Sequence, residues 1–157
     1  MKLTVDIQVA CDDAGIPPEA EIHSWIEDAI RWCGQPDAGD VEVVVRIVDA
    51  GEIQSLNHLY RKQDKATNGL SFPAGKLEGL PYGVSRSLGD LVVCAPVVAA
   101  EAKEQDKQLG DHWGHMLVHG MLHLLGFDHQ TDAEAARMEA LETEILAARN
   151  VTAPFEV

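Results

Sequence analysis

Two histidines four residues apart, His119 and His123, lie in an apolar run that continues through Gly126 to a third, His129. At helical pitch, residues i and i+4 share one face about one turn apart, so both imidazoles project toward a common point. Neutral imidazole is the commonest metal ligand, and two nitrogens so placed bite a single ion. Gly126 falls where the helix should end, because glycine adopts the left-handed conformation beyond a helix terminus without steric penalty. The chain then turns back and brings His129 to the same ion. Three histidines with a fourth position open are the donor set of a catalytic zinc site, not of a closed structural one. The expectation is one Zn²⁺ per chain, held by His119, His123 and His129.

A lone histidine on an apolar helix is more often a hydrogen-bonded core residue than a ligand. Here the third histidine, arriving after a glycine, tips the reading to metal. His112 and His115 precede the motif at helical spacing. No glycine-led return gives them a third ligand, so they are read as supporting or surface residues. Asp128 either orients a ligand from behind or simply makes the turn.

Several elements must position these side chains. Leu3, Val5, Ile7 and Val9 alternate with polar residues, the pattern of a strand with one buried face. Pro17-Pro18 opens a helix whose apolar positions are Ile22, Trp25, Ile26, Ala29, Ile30 and Cys33. Val41 to Val48 is β-branched and reads as a strand covered on both faces. Asp49 is placed to cap the next helix, which carries Ile53, Leu56 and Leu59 or Tyr60. Gly69-Leu70-Ser71-Phe72-Pro73 reads as a short edge strand stopped by its proline. Residues 74–87 read as an exposed excursion and Leu88 to Ala95 as a strand. From Pro96 to Leu125 the pattern is helical with a break at Gly110, and a last helix runs from Asp132 to Arg149. No repeat or low-complexity segment interrupts this order.

Composition places limits on the partners. With 157 residues, 46% hydrophobic and 24% charged, the chain reads as one domain spanning 1–157 with a proper core. No apolar run nears the roughly 18 residues of a membrane span, and no signal peptide opens the chain, so the expected place is the cytoplasm. Cys11, Cys33 and Cys94 are odd in number and far apart, which argues against a disulfide framework. The net charge of −14 speaks against a partner with a phosphate backbone. The distribution softens that reading. Residues 46–86 hold Arg46, Arg61, Lys62, Lys65, Lys76 and Arg86 against only Asp49, Glu52, Asp64 and Glu78.

The spacing HxxxHxxGxxH resembles the zinc signature of the metzincin peptidases, with one departure. Those enzymes keep a glutamate after the first histidine as proton acceptor, and this chain has Gly120. The glycine reads as space left for a bulkier phosphodiester. The full segment HGMLHLLGFDH resembles the signature of the YbeY family of endoribonucleases. So does Leu56-Asn57-His58-Leu59-Tyr60-Arg61-Lys62-Gln63-Asp64-Lys65-Ala66-Thr67 with Leu70-Ser71-Phe72-Pro73, and so does Leu88-Gly89-Asp90-Leu91-Val92-Val93. Asn68 and Gly69 depart from the family, which usually has aspartate and valine there.

That resemblance implies a compact α+β fold, a mixed sheet of about four strands beside helices, with a zincin-like helix carrying the histidines. It implies a single-strand-specific, metal-dependent endoribonuclease acting in 16S rRNA 3′-end maturation and ribosome quality control. Single-stranded RNA, ribosomal RNA and the small ribosomal subunit are the partners it implies. Its functional arginine falls on Arg61, whose guanidinium would meet two phosphoryl oxygens at once. Without the resemblance, Arg61 would read as a surface ion-pair partner of Asp64. The rival readings are a metzincin-like metallopeptidase or other zinc hydrolase, and a non-catalytic ribosome-assembly factor with a structural metal.

Overall fold

A computed structural model describes residues 2–12, 15–33, 40–63, 67–73, 86–127 and 130–151. Alternation of apolar residues sets the three longer strands, β1 (Leu3–Val9), β2 (Val41–Val48) and β4 (Arg86–Cys94), with the short β3 (Gly69–Pro73) between β2 and β4 in sequence. The sheet order is β1-β2-β4-β3. β1, β2 and β4 run parallel, and β3 pairs antiparallel with β4 at the edge. The mixed four-stranded sheet and the α+β class are as the family resemblance implied. Leu88 stands unopposed where the β2–β4 register shifts, and Gly89 takes the positive φ of 129° that this bulge requires.

Among the described residues, five helices cover the two faces: α1 (Glu19–Trp32), α2 (Ala50–Arg61), α3 (Ala95–Glu104), α4 (Leu109–Leu124) and α5 (Asp132–Ala147). Val41, Val43, Val45 and Ile47 of β2, with Leu91 and Val93 of β4, face the main core. There they meet Ile22, Ile26 and Ile30 of α1, Leu117 and Met121 of α4, and Met138 and Ile145 of α5. The alternate residues Val48, Val92 and Cys94 face a smaller cluster with Ile53 of α2 and Leu70 of β3. Leu→Ala-type truncation in such a core costs about 2–5 kcal/mol. Among the described residues, no helix is long and apolar enough to cross a membrane.

The helix ends follow local chemistry. Asp49 Oδ1 accepts the Glu52 backbone N–H at 2.8 Å, the expected cap of α2. Thr131 caps α5 through the Glu134 N–H at 3.1 Å, with that acidic residue placed well in the positive first turn. Two boundaries differ from the sequence reading. The break before α4 lies at residues 105–108, where Asp106 has φ 54°, and Gly110 is inside the helix. Leu109 and Trp113 are worth burying on α4, and Gly110 tolerates the helical first turn. The last helix ends at Ala147, short of Arg149, whose side chain bonds back to Asp28 and Ser24 of α1. The excursion expected at 74–87 lies outside the described residues up to 85; Arg86 and Ser87 belong to β4.

One close approach decides how α4 sits. A Cβ on Gly114 would stand 2.3 Å from the Trp25 ring. Glycine at 114 therefore lets the indole of α1 approach the α4 backbone closely, and the Arg149 guanidinium stands over the same ring at 4.3 Å from its centroid.

Candidate metal centre

α4 carries the histidines because its apolar residues face the sheet and leave one stripe, His112, His115, His119 and His123, along its flank. Its end is set by hydrogen bonds. The Phe127 N–H reaches the Leu122 carbonyl at 2.9 Å and the Gly126 N–H reaches that of His123 at 3.1 Å. With Gly126 at φ 101°, this is the Schellman arrangement expected from the helix-ending glycine. His129 and Asp128 lie outside the described residues.

The Nε2 atoms of His119 and His123 approach to 3.2 Å. Two imidazole nitrogens at 2.0–2.1 Å from a tetrahedral zinc ion stand about 3.3 Å apart, so the pair has the bite of one ion. The other nitrogen of His119 is taken: Nδ1 lies 2.5 Å from Oε1 of Glu142 on α5. Glu142 is 2% exposed and also stands 3.5 Å, through Oε2, from His115 Nε2. Burial alone would raise its carboxyl, but hydrogen bonds from His115 and His119, together with their charge, outweigh this and bring it down to about 2. An ionised carboxylate only accepts, so the hydrogen between them sits on His119 Nδ1. In the neutral, ligating form of the ring, His119 Nε2 then carries the lone pair, directed at His123. A carboxylate behind a ligating histidine fixes tautomer and ring orientation in just this way.

His115, His119 and Glu142 also form a group whose ligand atoms lie within 4.8 Å of one another and could themselves hold a metal ion. The donor set thus fits a cation by either route, and Glu142 belongs to both. Nothing in the motif pointed to it. A signal was present: Met138, Glu142 and Ile145 recur at helical spacing, which places a carboxylate on the buried face of α5.

His112 is not a surface residue. It is 2% exposed, and its Nε2–H donates to Glu101 Oε1 at 3.0 Å. Burial lowers its pKa, against the pull of Glu101, which favours the neutral ring. Asn68 Nδ2 donates to both oxygens of the same carboxylate, at 3.2 and 3.3 Å. An aspartate at 68 would set a second negative charge against Glu101, which gives the departure at this position a physical reason. Gly69 has one too: a Cβ there would stand 3.1 Å from the Val92 carbonyl.

Gly120 lines the groove beside His119 and His123, and it also packs closely on the sheet. A Cβ at 120 would meet Leu91 Cδ2 at 2.9 Å and Ser71 Oγ at 3.4 Å. The position faces the sheet, where Ser71 and Leu91 pair across β3 and β4. The glycine serves packing of α4 on the sheet. Arg61 is the last residue of α2, which Lys62 terminates in the left-handed conformation at φ 57°. The side chain of Arg61 lies outside the described residues.

A groove of about 980 Å³ runs beside the edge strand. His119 and His123 line it with β3, Tyr60, Thr67 and Phe127. An α+β scaffold with a two-histidine helix beside an open edge strand, backed by a buried carboxylate, defines the class of single-helix metallohydrolases. Comparison with known proteins narrows this. The family model for Endoribonuclease YbeY matches residues 6–150, and the chain belongs to that family. A relative from Stenotrophomonas maltophilia strain R551-3, named Endoribonuclease YbeY, is 49% identical over 99% of this chain and 94% of its own length. Another with that name, from Halorhodospira halophila, is 54% identical over 88% of each chain. The solution structure of a Thermotoga maritima protein shares the fold, with a TM-score of 0.57 at 22% identity, covering 98% of this chain and all of that one.

Proposed function

We propose that this chain is a zinc-dependent endoribonuclease that hydrolyses phosphodiester bonds in single-stranded RNA, with residues 1–157 forming one catalytic domain. His119, His123 and His129 are its metal ligands and Arg61 its catalytic residue. The observation that carries the reading is the 3.2 Å approach of the His119 and His123 Nε2 atoms, with His119 held from behind by Glu142, in a chain of the YbeY family.

A bound zinc ion supplies Lewis acidity and brings the pKa of water toward about 7. The protein does the rest. Glu142 holds the proton on His119 Nδ1, so Nε2 stays a donor of electrons rather than of hydrogen. Glu142 itself is buried, and it holds the rings of His119 and His115 from behind. Arg61 opposes the negative charge that grows on the phosphoryl oxygens, where a planar guanidinium contacts two at once. Position 120, where a metzincin peptidase would carry glutamate, packs on Leu91 and Ser71 and supplies no base to the groove.

In the cell this activity is read as 16S rRNA 3′-end maturation and ribosome quality control in the cytoplasm, with ribosomal RNA of the small subunit as substrate. Elemental analysis and RNA cleavage before and after chelation test the core of it. About one zinc per chain is expected, with cleavage of unstructured RNA lost on chelation and regained with Zn²⁺. The His123→Ala protein should lose most of the metal. Full metal retention there would overturn the ligand set, and cleavage of an unstructured peptide in place of RNA would overturn the activity.

A further inference from the structure

Of the aromatic rings that line the groove and have no part in the metal chemistry, two meet each other. Tyr60, in the last turn of α2, meets Phe72 of β3 edge to face, with centroids 5.2 Å apart and planes at 69°. Both line the groove that His119 and His123 line. Tyr60 is nonetheless 62% exposed. A ring has two faces, and an edge-to-face neighbour covers at most one, so Phe72 leaves at least one π face of Tyr60 open at the wall of the groove. Phe72 fixes that ring against the edge strand, which lowers the rotamer entropy a ligand would otherwise have to freeze.

Every nucleobase has a π face, so an exposed, oriented ring binds unpaired bases with little regard to sequence. In a duplex those faces are already stacked on each other. The cation needed for the adjoining phosphate is at hand, because Lys62 is exposed two residues beyond Tyr60.

We propose that Tyr60, held by Phe72, is a stacking subsite for one unpaired nucleobase of an RNA strand lying in the groove of His119 and His123. The proposal rests on the RNA-cleaving reading above and gives it a physical basis for single-strand preference. Leu59 supplies the contrast. It is more exposed than Tyr60, at 70%, but is not among the residues that line the groove.

The test uses chelated full-length protein, which cannot turn over, and a short unstructured RNA containing 2-aminopurine, whose fluorescence is quenched when it stacks on an aromatic ring. Wild type should bind and quench, and should do neither with the same sequence in a duplex. Tyr60→Leu, which keeps apolar bulk but removes the π face, should weaken binding roughly 5- to 100-fold and abolish the quench. Tyr60→Phe should restore both, and Leu59→Ala should change neither. Binding by wild type without any quench overturns the subsite, whatever the variants do. Tyr60→Leu behaving as wild type overturns it too, and leaves the ring pair as a strut between α2 and β3. Cleavage of the same RNA with Zn²⁺ restored is followed in parallel. Cleavage without a Tyr60-dependent quench sinks the stacking alone, whereas neither binding nor cleavage, or preference for an unstructured peptide, removes the RNA reading and the subsite with it.

Discussion

Glu142 is the residue on which the candidate centre turns, since it fixes the proton of His119 and also approaches His115. Glu142→Gln keeps the shape but gives up the charge. Zinc affinity, followed by competition with a chromophoric chelator, should fall about 10- to 100-fold, the usual effect of losing such a carboxylate. An unchanged affinity would mean that His119 needs no partner. His112 makes a separate prediction. Its pKa is lowered from 6.5, first by burial, with Glu101 pulling upward and His115 and Lys107 adding to the lowering. The unfolded chain binds this proton more readily, so the contribution to stability is complete above the unfolded value of 6.5 and is lost as pH falls from there through the lower folded value. In His112→Gln, which keeps a donor toward Glu101, denaturant unfolding of chelated protein should lose less stability between about pH 7.5 and 5.5 than wild type. At this scale the histidine pair was legible, because i, i+4 spacing is a geometric fact of any helix. Glu142 was not, since it stands 23 residues beyond His119 and only the packing of α5 on α4 buries it.

Elements meet through their glycines. At Gly126 a Cβ would find nothing within 4 Å, yet φ is 101°. Gly126→Ala therefore costs backbone strain alone, about 1–2 kcal/mol. At Gly114 the backbone is ordinary but the Trp25 ring fills the space of a Cβ. Gly114→Ala should cost about 1–3 kcal/mol or more, because α1 and α4 must separate. Calorimetric melting distinguishes the two, and equal small losses would mean that Trp25 rotates away freely. Gly120→Glu combines a small packing change, as its Cβ presses on the Leu91 methyl at 2.9 Å, with a carboxylate beside the groove. The strands, the α2 cap and the α4 terminus were legible because each rests on local alternation, a capping oxygen or a helix-ending glycine. The break before α4 was not. A helical first turn accepts Gly110 when its neighbours bury Leu109 and Trp113, so tertiary packing outweighed the local preference.

At the scale of the molecule, an RNA strand must approach a body carrying net −14. The sequence places the one positively balanced window at residues 46–86, and the structure takes a cation out of it. Arg46 is bound in a fork to Glu52, with Nε–Oε2 at 2.6 Å and the second contact at 3.1 Å. That leaves Arg61, Lys62, Lys65, Lys76 and Arg86 in the window for phosphates. For single strands the logarithm of affinity falls with the logarithm of salt by about 0.7 per phosphate neutralised. Five cations set a ceiling near 3.5 on that slope, and the acidic body can only lower it. RNA binding measured on chelated protein across a salt series should therefore be shallow, with stacking contributing the part that salt does not screen. Tyr60→Leu should weaken binding at every salt concentration and leave the slope as it was, because no charge changes. Lys62→Ala should do the reverse, lowering the slope by about 0.7. A wild-type slope well above the ceiling would place the strand on cations outside this window, and with it the groove would lose its claim to the substrate.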